Sequence, residues 1–264
     1  MVKRHVALLG AFLLLTLAER PAFAGAVMYD DTPTPLPGNV VSLGYEATQT
    51  AEFGGLIQFA SGTSRSLWDV KVVMSDWALA STYGSTDSGW SYPITLNLYN
   101  VDSSSGTPQP GSLIVSVTQT FLIPWRPEAS AGCGTAWKAA DGSCYNGLAF
   151  EVTFDLGNIT VPDELIYGIA YNTRDYGSQP TGSSGPYDSL NFGLTTSGPT
   201  VGSNPLPGTA YINEGAGNTF SQDTFAYSGA VEFDSVPEPG TVGLMLGGLL
   251  ILTGASRRRK RGKR

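Results

Sequence analysis

Five tryptophans, two cysteines and a surplus of carboxylates are the chemically capable residues of this 264-residue chain. Trp68, Trp77, Trp90, Trp125 and Trp137 each offer a flat apolar ring. A sugar stacks on such a ring while carboxylates and amides bond its hydroxyls. Trp90 stands in a Ser-Gly loop with Tyr92 nearby, and Trp137 lies between Cys133 and Cys144, where a ring is presented. With Trp125 these are the candidate carbohydrate-binding residues. Each has a plainer alternative, packing onto the end of a sheet, and Trp68 and Trp77 are expected in the core.

Catalysis has less to work with. The one histidine is His5, so the rest of the chain can build neither a Ser-His-Asp triad, a Cys-His pair nor an imidazole zinc site. Glu151 and Asp155 fall on one face of a strand and could oppose Glu214 or Glu232 as a glycosidase pair. In so acidic a chain such pairings arise cheaply, and no enzymatic activity is expected. Asp30-Asp31, Asp102, Asp141, Asp163-Glu164 and Asp175 sit near turns and offer hard oxygen ligands. They follow no EF-hand or nonapeptide pattern; structural calcium is compatible with them, no metal ligand set is assigned, and no cofactor is expected.

The elements that must position these residues repeat with period two. Residues 92–101 alternate Ile94, Leu96 and Leu98 against Thr95, Asn97 and Tyr99, and 113–123 set Leu113, Val115 and Val117 against Ile114, Ser116 and Thr118. The clearest strand, 148–156, sets Leu148, Phe150, Val152, Phe154 and Leu156 against Ala149, Glu151, Thr153 and Asp155. Residues 53–60, 66–74, 190–195 and 225–233 read as further strands, with a short one at 209–212. Residues 165–172 alternate poorly and are expected to be buried on both faces. Residues 25–38, with Pro33, Pro35 and Pro37, read as an extended surface lead. Gly, Ser, Asn, Asp and Pro clusters separate the runs. The fold class is therefore all-β, an antiparallel β-sandwich or jelly roll.

Both ends of the chain read differently. Lys3-Arg4, an apolar run from Val6 to Leu17 and Ala22-Phe23-Ala24 are the parts of a signal peptide over 1–24, forming an N-terminal signal helix. An exported body over 25–235 follows. Its cysteine pair, Cys133 and Cys144, is expected to form a disulfide in that compartment. It holds five of the 15 cations against 20 carboxylates, a net charge of about −15. That balance repels phosphate backbones and disfavours nucleic acid as a partner.

Residues 236–264 run from Val236-Pro237-Glu238-Pro239-Gly240 through an uncharged apolar stretch to seven cations in the last eight positions. A helix over 241–256 is roughly 24 Å long, short of a hydrocarbon core of ~30 Å unless the arginines of 257–264 snorkel. The basic end is expected on the cytoplasmic side, with the body across the membrane. Pro237, Glu238 and Pro239, the short glycine-containing transmembrane helix and the Arg-rich tail resemble the PEP-CTERM protein-sorting signal. The resemblance covers about a tenth of the chain. It implies an exosortase at the inner membrane as partner, removal of the tail, and a destination at the surface or extracellular matrix of a Gram-negative bacterium. The expected function is a non-catalytic structural or adhesive matrix component, with binding of exopolysaccharide as the alternative.

Overall fold

The computed structural model describes residues 25–215 and 219–236. The signal segment 1–24, the sorting motif Pro237, Glu238 and Pro239, the apolar stretch 241–256 and the basic tail 257–264 lie outside the described residues. Gly25–Pro237 forms one compact unit. Among the described residues no helix is long and apolar enough to cross a membrane.

The chain is all-β. The described residues begin with β1 (Val27–Asp30), β2 (Ser42–Gly44), a four-residue helix α1 (Tyr45–Thr48), β3 (Thr50–Gln58) and β4 (Ser66–Asp76). After a 3-10 turn over Ala80–Tyr83 come β5 (Gly89–Asp102) and β6 (Gln109–Pro124), then the short β7 (Trp137–Lys138) and β8 (Cys144–Tyr145). Next are β9 (Leu148–Thr160), β10 (Glu164–Ala170), a 3-10 turn over Pro186–Ser189 and β11 (Leu190–Thr195). The last are β12 (Thr209–Glu214), β13 (Ser221–Thr224), β14 (Ser228–Gly229) and β15 (Val231–Ser235).

Two antiparallel sheets carry the sandwich. In the first, β4 pairs with β9 from Ser66 to Asp76 along one edge. Its other edge takes β15 at Leu67–Val72 and β11 at Met74–Asp76. β1 closes that sheet outside β15, while β2 and β14 pair with β11. The second sheet runs β13-β12-β3-β10-β5-β6. The first and last strands are thus neighbours, and Ser235 N–H donates to the Ala26 carbonyl at 2.9 Å. Both ends of the body leave from one pole, and β4 runs ~33 Å from there to the other.

The core lies between the sheets. Phe233 meets Tyr29, Phe59 and Tyr167 edge-on, Phe53 meets Phe192 and Phe225, and Phe121 meets Phe154. Each fully buried ring of this kind stabilises by about 1.5–3 kcal/mol through area alone. As the weak alternation of 165–172 predicts, β10 is buried on both faces. Leu165, Tyr167 and Ile169 enter the main core, while Ile166 joins Leu56, Tyr211 and Phe220 in a small cluster on the outer face of the second sheet.

Three expectations fail here. Residues 225–233 are not one strand: β14 and the start of β15 lie there, paired with β11 and β4 in turn. The segment 25–38 is not a surface lead: it contains β1, whose Met28 and Tyr29 are fully buried against β15. Leu113 does not share a face with Val115. A register shift opposite Leu98 and Tyr99 breaks the alternation, turning Leu113 out at 52% exposure while Ile114 packs on the core.

Candidate functional site

Four of the five tryptophans gather at the pole where β4 and β6 finish and β5 and β9 begin. Backbone contacts weld these ends together. Trp77 N–H donates to the Ser189 carbonyl at 3.0 Å, and Arg126 N–H to the Ala78 carbonyl at 3.1 Å. Beyond them lies the loop closed by the Cys133–Cys144 disulfide. The Arg126 guanidinium fastens that loop, donating to the carbonyls of Asn146 and, at 3.1 Å, Thr135.

The rings form a ladder. Tyr83 stacks on Trp125 at 5.6 Å and 21°, and Trp125 lies 6.2 Å from Trp90. Trp90 lies 5.3 Å from Tyr92, which stacks on Tyr187 at 5.1 Å. Trp90 and Tyr92 belong to the strand β5 and share its inward side with Ile94 and Leu96, so they seal the end of the core. Trp77 and Tyr83 stand outward, 44% and 42% exposed.

Beneath the ladder is a buried carboxyl. Asp76 is fully buried, and its Oδ1 accepts from Ala78 N–H at 3.2 Å. Burial pushes its pKa up to about 7, against the opposing pull of backbone amides, the Trp90 indole and the Arg126 charge. That indole acts without completing a hydrogen bond: Trp90 Nε1 and Asp76 Oδ2 both lack a partner among the described residues. This enclosed carboxyl is part of the packing under the aromatic pole rather than a surface acid.

Several sequence expectations are corrected by this geometry. Trp90 is on a strand, not in a loop. Trp137 packs within the disulfide loop, half-buried, its Nε1 donating to the Gly147 carbonyl at 2.7 Å and its ring 5.9 Å from Tyr145. Trp68 and Trp77, expected in the core, are 39% and 44% exposed. Trp68 falls where the register of β4 shifts against β9, and Trp77 lies just past the last ladder pair of β4. Gly147 lets the Trp77 ring approach; a Cβ there would lie 2.5 Å from Trp77 Nε1. Trp90 and Trp125 are brought together, while Trp137 stays with Tyr145. Tyr83 and Tyr187 carry no signal in the sequence, because both sit in turn sequence without periodicity.

Among the described residues the four carboxylates expected as a glycosidase pair do not face one another. Glu151 and Asp155 are exposed on β9; Glu232, two strands away across β4, is ion-paired to Lys71, and Glu214 lies in the other sheet. The acidic turns use their oxygens locally. Asp102 and Asp141 accept from the amides of Ser104 and Ser143, which holds both below the usual carboxylate range. Asp163 pairs with Arg65 and Asp175 with Arg174. Among the described residues no group of three or more acidic, His or Cys side chains is placed to hold a metal ion. Comparison with family models, curated proteins and solved structures finds no match to this chain.

Proposed function

We propose that this protein is an exported, non-catalytic surface or matrix component that adheres to neutral polysaccharide through its aromatic pole. The observation that carries the adhesive reading is the exposure of Trp77 and Tyr83 at this pole, Tyr83 held by stacking on Trp125 and Trp77 by its indole N–H donating to Ser75 Oγ at 3.0 Å. Such rings bind the apolar faces of sugars with little ordering cost, since packing has already fixed them. The route rests on the residues at the two ends: a signal peptide, then Pro237, Glu238 and Pro239 for an exosortase, with transient membrane attachment through 241–256.

Retention of residues 25–236 on immobilised exopolysaccharide tests the binding. Tyr83→Ala and Trp125→Ala each weaken retention by about tenfold, while Trp68→Ala, at the opposite end of β4, leaves it unchanged. Equal retention of all three variants would remove the aromatic pole from the function. The route is tested in a host carrying an exosortase. Replacing Pro237, Glu238 and Pro239 together by Ala leaves full-length chain in the membrane fraction; normal release would reject the sorting reading.

A further inference from the structure

The outer face of the second sheet holds a separate groove of about 390 Å³, lined by Glu52, Thr95, Asn97, Ser116, Thr118 and Asn213 among others. Strand register builds it. One cross-strand row reads Asn213, Glu52, Ala170, Thr95 and Thr118, and the next reads Tyr211, Gly54, Gly168, Asn97 and Ser116. Gly168 leaves a gap that the Glu52 side chain fills, since a Cβ there would lie 2.0 Å from Glu52 Oε1. Polar residues therefore floor the groove where the neighbouring row, Leu56, Ile166 and Tyr99, is closed by its own small cluster.

Glu52 is the anomaly. It is only 8% exposed, and its donors are neutral: Asn97 Nδ2 at 2.9 Å and Tyr99 OH at 3.0 Å, both converging on Oε1. No hydrogen bond to Oε2 is found among the described residues. No cation of the body lines the groove. Arg65, Lys71 and Arg174 are ion-paired elsewhere, Arg126 is spent on carbonyls, and Lys138 is on β7. Burial without a countercharge raises the Glu52 pKa. In the same wall Asn213 Oδ1 is buried and has no partner among the described residues. A carboxyl enclosed this way gains most from a ligand that brings positive charge and donors together. The Thr95 and Thr118 hydroxyls, bonded to each other at 2.7 Å, offer further groups to a polyol.

We propose that this groove binds a protonated primary amine carried on a polyhydroxylated ring, the chemistry of a deacetylated amino sugar. The ammonium sits against Glu52, and ring hydroxyls meet Thr95, Thr118 and Ser116. The site is distinct from the aromatic pole and stands whether or not that pole binds glycan.

The experiment is a titration of 15N-labelled residues 25–236 at pH 7 with glucosamine, N-acetylglucosamine, glucose and butylamine, followed by amide shifts. Glucosamine gives saturable shifts confined to β3, β5, β6, β10 and β12, and each of the other three binds at least about tenfold more weakly. Glu52→Gln, close in shape, loses glucosamine binding, and Trp125→Ala keeps it. Thr118→Val, at an exposed position, weakens glucosamine but leaves butylamine unchanged, and it serves if the Glu52 variant fails to fold. Equal binding of N-acetylglucosamine overturns the charge requirement, and equal binding of butylamine overturns the ring. Absence of saturable shifts, or wild-type binding by Glu52→Gln, overturns the site itself.

Discussion

Asp31 and Asp76 are buried carboxyls without ion-pair partners, each pushed up by burial to about 7. Tyr29 OH donates to Asp31 at 3.4 Å, too long to offset its desolvation. The folded chain keeps both protons at a pH where the unfolded chain, titrating near the ordinary 3.8, has released them. Folded-state proton excess makes stability fall as pH rises from about 4 through 7, after which it levels. At about 1.4 kcal/mol per unit of difference, the loss for the pair is on the order of 5–10 kcal/mol. The urea midpoint of residues 25–236 therefore drops between pH 5 and 8, and the Asp31→Asn, Asp76→Asn double variant reduces that drop, leaving the part that the raised Glu52 and Asp69 carboxyls contribute. A wild-type midpoint that rises over the same range would contradict the assignment. Below about pH 4 the sign reverses, since Asp102, Asp141 and Asp175 are held low by hydrogen bonds or by Arg174 and lose those interactions on protonation. None of this was legible in the sequence, where Asp31 and Asp76 look like any other acid beside a turn.

At the scale of elements, β15 depends on one ring. Phe233 touches Tyr29 of β1, Phe59 beyond β3 and Tyr167 of β10, joining both sheets. Phe233→Ala removes a fully buried side chain at that junction and costs about 3–5 kcal/mol by chemical denaturation. A loss under about 1 kcal/mol would mean that the sheets collapse onto the gap. Strands of this kind were readable from period two wherever one face meets the core and the other meets water, as in β5 and β9. The period is lost where a second constraint intervenes. β1 is four residues beside three prolines, too short to show a period, and in β6 the bulge reversed the phase at Leu113. The candidate rings were legible by type but not by placement. Trp90 and Trp125 meet because two strand ends meet, and no local pattern records that. The Glu52 groove depends on Gly54 and Gly168 falling side by side in the register, a coincidence visible only once the sheet is assembled.

Across the described body, its two ends, Gly25 and Val236, and the aromatic pole lie at opposite ends of β4. Ser235 pairs with Leu67 at one end, and Asp76 pairs with Leu148 and Leu190 at the other. The body thus carries Gly25 and Val236 at one end of β4 and the ring ladder at the other. A force between a tail at Val236 and a polymer held at the rings runs along β15 and β4 in opposite directions. Their ladder is then loaded in shear, and its hydrogen bonds must fail together. A force between Gly25 and Val236 instead peels β1 from β15 one bond at a time. Single-molecule pulling between Val236 and a handle at Thr86, an exposed residue near the ring pole, gives a higher rupture force than pulling between Gly25 and Val236. Equal forces would show that the sheets yield before the ladder does. A protein tethered by its tail and snagged by its rings would be strained along its toughest axis, the one that suits a mechanical fastener.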